Sequence, residues 1–105
     1  MPEFGTALNG LTSGRMLTHG ELVRAIRFMV AAEYEAVQLY LQAADSTDNE
    51  LARKVLREVS DEELVHAGEF LRLLKELSPE EEKLYEQGYR EVEEMMERSP
   101  RRDAA

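Results

Sequence analysis

The chain holds 105 residues, 43% apolar, 33% charged and 7% aromatic, with no Trp and a formal net charge of −9. That bounds it to one small domain of helix-rich composition, with a thin core unless it assembles. The lack of any cysteine excludes disulfides, thiolate metal sites and cysteine nucleophiles, and is compatible with a reducing cytosol. The negative balance argues against nucleic acid or an anionic membrane as main partner and suits attraction of cations. No apolar run approaches the roughly 20 residues of a membrane span, and no N-terminal stretch has the order of a signal peptide.

Residues 1–17 carry Gly5, Gly10 and Gly14 among small polar residues and read as a mobile arm. Thr18-His19-Gly20-Glu21 fits a capping box, with Thr18 as N-cap and Glu21 reaching back to it. It predicts a helix over about residues 20–45. Leu22, Ile26, Met29, Val30, Ala36, Val37, Tyr40 and Ala44 make one stripe at spacings of three and four. His19, at the edge of the arm, reads as a plain surface residue. Ser46-Thr47-Asp48-Asn49 clusters turn and N-cap formers. A second helix is predicted over about 49–77, with Leu51, Val55, Leu56, Val59, His66, Phe70, Leu73, Leu74 and Leu77 as its stripe. Ser78-Pro79-Glu80-Glu81 restarts the chain: N-cap, proline at the first helical position, then acids at the positive end of the dipole. A third, shorter helix over 79–98 has the narrower stripe Leu84, Gly88, Val92, Met95 and Met96, read as an oligomer contact. Residues 99–105 read as a flexible tail, which leaves 18–98 as the folded unit. No internal repeat or strand pattern occurs.

The short link between the first two helices makes them antiparallel neighbours. Each is roughly 38–43 Å long at about 1.5 Å per residue. Such a hairpin has two long apolar stripes and one partner for each, so its unsatisfied side predicts dimerisation. The fold class is all-α: a two-helix hairpin, half of a four-helix bundle, plus a short third helix.

Most of the 22 acidic residues sit on solvated helix faces. Glu33 differs, lying three and four residues from Met29 and Val30 on one side and from Ala36 and Val37 on the other. Glu63 lies four after Val59, and His66 four before Phe70. All three are therefore expected to be buried or half-buried, and a buried carboxylate is costly unless paired or bound to metal. Glu63-x-x-His66 places both side chains on one face, since i and i+3 are neighbours. Oxygen and imidazole donors suit Fe, Mn and Zn alike. Ferritin-like bundles use a glutamate from each of two helices plus a Glu-x-x-His from each of the other two. This chain supplies one of each, so two chains are needed for a full set. Blander readings remain: His66 hydrogen-bonded to Glu63 or Tyr40, and Glu33 paired with Arg24, Arg27 or Arg57. Tyr40 reads as packing, with a hydroxyl near the site.

The run Glu33-Tyr34-Glu35-Ala36-Val37-Gln38-Leu39-Tyr40, then Ser46-Thr47-Asp48, then Asp61-Glu62-Glu63-x-x-His66-Ala67 resembles the encapsulated ferritins, over about residues 20–97. The resemblance implies a half-ferritin that pairs as a homodimer to form a di-iron ferroxidase centre. It further implies a homodecameric ring carried as cargo inside an encapsulin shell, an encapsulin nanocompartment in the cytoplasm, with dioxygen as oxidant. By position it places the iron ligands on Glu33, Glu63 and His66. Glu35 falls at an acidic position tied to metal entry, and Tyr40 beside the centre; Glu62, next to Glu63, is a further candidate for metal entry. Some relatives have a further acid just before the first ligand, where this chain has Ala32. Zn, Mn or Ca would be accommodated by the same donors. Three other readings stay open: a rubrerythrin-like di-metal oxidase or peroxidase, a non-catalytic helical assembly module, and a zinc-stabilised dimer.

Overall fold

The computed structural model describes residues 14–98. The N-terminal arm up to residue 13 and the tail from residue 99 lie outside the described residues. Three helices follow one another within them: α1 (His19–Asp45), α2 (Glu50–Leu77) and α3 (Pro79–Arg98). No strand occurs among the described residues.

Each boundary has a local cause. Thr18 Oγ1 accepts from Glu21 N–H at 3.1 Å, and Glu21 Oε1 accepts from Thr18 N–H at 2.9 Å, a complete capping box. Arg15 adds a two-pronged ion pair to Glu21, at 2.8 and 2.7 Å. That pairing, with the capping bonds, draws the Glu21 carboxyl down to about 2. The helix starts at His19, one residue earlier than expected. At the turn, Ser46 Oγ donates to Gln42 C=O at 2.8 Å, and Asn49 Oδ1 accepts from Ala52 N–H at 2.9 Å. Asn49 is thus the N-cap of α2 rather than its first helical residue.

The hairpin closes as an antiparallel pair. At its open end His19 Nε2 donates to the carbonyl of Leu77, the last residue of α2, at 2.8 Å. His19 is exposed, as expected of a surface residue, and in addition clasps the two helix ends. A C-terminal carbonyl is a free acceptor at the negative end of the helix dipole, which suits an imidazole donor.

The seam is buried along Val23, Ala25, Ile26, Val30, Val37 and Ala44 of α1, and along Ser60, Ala67 and Leu74 of α2. The seven-residue step of Ser60, Ala67 and Leu74 is the true inward line of α2. The apolar stripe expected there is displaced to one side: Leu51, Val55 and Leu73 expose 72, 49 and 42%. They face away because one neighbouring helix covers only part of a stripe that wide. The largest side chains gather at the open end, where Val23, Ile26 and Leu74 pack with Leu22, Met29, Phe70 and Leu77. Ala44 and Ser60, at 0 and 1%, let the helices approach toward the turn. No described helix is long and apolar enough to cross a membrane.

Candidate metal centre

Midway along the seam α1 brings in Glu33, and α2 brings in Glu63 and His66. Glu33 is three residues after buried Val30 and four before buried Val37, so its carboxylate is forced to the seam. Glu63 holds the same relation to Ser60 and Ala67 on α2. His66, three residues on from Glu63, sits at the flank of that line. One donor atom from each of the three lies within 4.8 Å of the other two. His66 Nδ1 is 3.6 Å from Glu33 Oε2 and 3.8 Å from Glu63 Oε1. Both separations exceed hydrogen-bond length.

Burial is uneven. The Glu33 and Glu63 side chains expose 19 and 18%, while His66 exposes 50%. The site therefore opens on one flank of the hairpin through the imidazole. Glu33 Oε2 is buried and has no hydrogen-bond partner. A buried carboxylate oxygen left this way is costly. Glu63 holds its proton more tightly than an ordinary glutamate. The largest cause is the neighbouring Glu33 carboxylate, to which a protonated Glu63 could donate; burial and the Glu33 charge add to it, and His66 opposes them.

A divalent cation fits this donor set. It would satisfy the orphaned Glu33 oxygen, relieve the repulsion between two carboxylates, and accept an imidazole nitrogen already at the opening. Glu33, Glu63 and His66 are the residues that could hold it. The blander pairings are not formed: Arg27 binds Glu81, Arg57 binds Asp45 at 3.3 Å, and among the described residues no arginine pairs with Glu33. His66 makes no hydrogen bond to Glu63 or Tyr40 among the described residues.

Of the accessory positions, Tyr40 is half-buried seven residues beyond Glu33 on the same face, whereas Glu35 and Glu62 are exposed and stand outside the cluster. The sequence reading missed Ser60 and Ala67. Their small side chains flank Glu63 and let α1 close on it; the signal was their seven-residue step with Leu74.

Comparisons with known proteins bear on the family of the chain. A family model described as Rubrerythrin matches residues 22–101. The encapsulin nanocompartment cargo protein EncC of Myxococcus xanthus is 45% identical over 67 residues, covering 64% of this chain and 52% of that protein. The ferritin-like-encapsulin shell fusion protein of Pyrococcus furiosus is 40% identical over 78 residues, covering 74% of this chain and 23% of that protein. The chain thus spans about half or less of these curated relatives. The crystal structure of the encapsulated ferritin domain from P. furiosus superposes with a TM-score of 0.78 at 36% identity, covering 81% of this chain and 87% of that one.

A hairpin with a carboxylate–imidazole cluster on its seam, matched over most of its length by that model, is a ferritin-like protein of the rubrerythrin class. Within that class the chain belongs to the encapsulated ferritin family.

Proposed function

We propose that this protein is a ferroxidase that oxidises Fe(II) with dioxygen at a di-iron centre shared between two copies, for iron storage inside an encapsulin compartment. The observation that carries the reading is the buried, unpartnered Glu33 Oε2 beside Glu63 and His66. Iron is the substrate: two Fe(II) ions each give one electron to dioxygen, the acceptor.

The chain's own residues supply the rest. Glu33 and Glu63 give hard oxygen donors that favour the ferric product, and His66 gives a nitrogen donor at the exposed edge. One chain offers two carboxylates and one imidazole, half of the four-glutamate, two-histidine set of a ferritin-like centre. A second copy placed on the flank where His66 opens would complete it, and would cover Val55 and Leu73, exposed on that same flank. Exposed Glu35 and Glu62 would draw cations toward the opening, and half-buried Tyr40 would stand beside it. Two relatives are named as an encapsulin cargo protein and a ferritin-like-encapsulin shell fusion. They support an encapsulin shell as partner and the interior of a cytoplasmic nanocompartment as location.

The test adds Fe(II) anaerobically to apo-protein of known mass, admits air and follows Fe(III) absorbance, with His66→Ala beside it. Rapid oxidation of about one iron per chain, lost in the variant, is expected. Oxidation no faster than buffer, in a protein that still pairs, overturns the reading in favour of a structural or zinc-bound dimer.

A further inference from the structure

Positive charge gathers near the start of α2. Arg53, Lys54 and Arg57 line one shallow pocket there with Glu50 at its rim. Arg53 and Arg57 stack one turn apart, a spacing at which like charges work against the helix, and Lys54 stands beside them. The chain holds 22 acids against 13 lysines and arginines. Even so, among the described residues Arg53 and Lys54 form no ion pair, although Glu50 lies three and four residues before them. Glu50 has a place of its own: it opens α2, where the helix dipole favours a carboxylate. Arg57 reaches Asp45 by a single 3.3 Å contact, with both side chains more than half exposed. An exposed pair of that kind contributes little, so Arg57 is free to take another partner.

The patch lies away from the metal centre. Arg57 and His66 are nine residues apart, two and a half turns, so they project from opposite flanks of α2. A second copy seated over His66 leaves the patch open. Its donors indicate the ligand. Two planar guanidinium forks and an ammonium present more N–H groups than one carboxylate accepts. A phosphate group brings three strong acceptor oxygens and a charge of about −1.5 to −2, which matches them. The chain as a whole, at a net charge of −9, repels anions at a distance. An anion is therefore held here by direct contact. The helix end is not the source of that contact, because Asn49 already occupies the Ala52 N–H.

We propose that Arg53, Lys54 and Arg57 form a binding site for a dianionic tetrahedral oxyanion, either inorganic phosphate or the phosphate group of a larger molecule. Arg53 and Arg57 grip its oxygens through paired N–H donors, and Lys54 adds a point charge. Arg57 exchanges Asp45 for the ligand. The site needs neither metal nor a second copy, and it does not depend on the ferroxidase reading.

The test uses the full chain free of metal, so that no iron takes up the anion, in phosphate-free buffer of low ionic strength. Phosphorus NMR follows inorganic phosphate and, separately, O-phosphoserine as protein is added, with acetate as competitor. Saturable broadening that an equal concentration of acetate does not reverse is expected. Arg53→Gln with Arg57→Gln weakens binding about tenfold or more, a loss read directly as the dissociation constant. Lys54→Glu, at an exposed position, also weakens it, and serves should the double change disturb the helix. Arg72→Gln, more than four turns further along α2, leaves it unchanged. Tighter binding of inorganic phosphate assigns the site to the free anion, and equal or tighter binding of O-phosphoserine assigns it to a phosphate carried on a larger molecule. No saturable binding of either, displacement by equal acetate, undiminished binding in the patch variants, or an equal loss in Arg72→Gln overturns the proposal. Iron oxidation followed separately reports the metal centre, so failure of one reading is told from failure of the other.

Discussion

Glu33 on α1 and Glu63 on α2 crowd one another across the seam: their carboxylates approach within 4.8 Å, and Glu63 takes up a proton more readily because Glu33 is there. An acid whose folded value is raised stabilises the fold while protonated. That contribution is present below its unfolded value and is lost as pH rises through the folded one. The metal-free protein therefore loses stability from this group as pH rises above the ordinary glutamate range. Glu63→Gln is expected to raise the melting temperature of the metal-free protein at pH 7 and to flatten that pH dependence. A lower melting temperature than the parent at pH 7 would contradict the account.

Metal should reverse this strain. Zn(II) or Mn(II), which bring no turnover with oxygen under anaerobic conditions, are expected to raise the melting temperature. The gain is about 2.7 kcal/mol when free metal exceeds its dissociation constant a hundredfold. A chelator should remove it, and so should acid, because the ligands must be deprotonated. Calorimetry with and without metal decides; an unchanged transition in both Zn(II) and Mn(II) counts against the site.

His66 exposes half its side chain, so it contributes little to the core. His66→Ala is expected to keep the parent's circular dichroism and bring iron oxidation down to the buffer rate. Undiminished oxidation would remove His66 from the centre.

Leu74 is 3% exposed at the heart of the open-end cluster with Val23 and Ile26. Leu74→Ala is expected to cost about 2–5 kcal/mol, measured by denaturant unfolding at fixed protein concentration. Leu51→Ala, at a position 72% exposed, is expected to change a single chain by no more than about 0.5 kcal/mol.

Arg27 holds the Glu81 carboxyl below the usual glutamate range, chiefly through their hydrogen bonds. Burial opposes this, and Tyr85 adds its own bond, with its hydroxyl pushed up to about 12. A depressed carboxylate stabilises above its unfolded value of about 4.3, and that stabilisation goes as pH falls through the folded value. The Arg27–Glu81 joint should therefore hold at neutral pH and weaken in acid, as Glu81 takes up its proton below the usual glutamate range. Because the Arg27 side chain is half exposed, its worth is about 0.2–1 kcal/mol. Hydrogen exchange at the first turns of α3, compared between pH 7 and pH 3.5, tests it once intrinsic rates are corrected.

The parts of this fold that local chemistry decides were legible in the chain. Thr18 with Glu21, Asn49, and Ser78 with Pro79 mark the helix starts to within a residue. The grouping of Glu33, Glu63 and His66 followed from their three- and four-residue steps to apolar neighbours. What escaped was set by where the chain returns upon itself. His19 meets Leu77 58 residues away, and Arg27 meets Glu81 54 away. No local pattern marks either pairing. Leu51, Val55 and Leu73 belong to the apolar stripe of α2, yet a single helical neighbour has too little surface to cover them.

The seam is also graded along its length. Its open end is filled by Ile26, Leu74 and Phe70, whereas nearer the turn the most enclosed positions are Ala44 and Ser60. Cohesion by dispersion scales with the atoms in contact, so it falls from one end of the hairpin to the other. On warming, an isolated chain should begin to unzip from the turn, the region joined by the shortest stretch of polypeptide. The two helices would stay pinned longest at the open end, where α1 begins and α2 finishes.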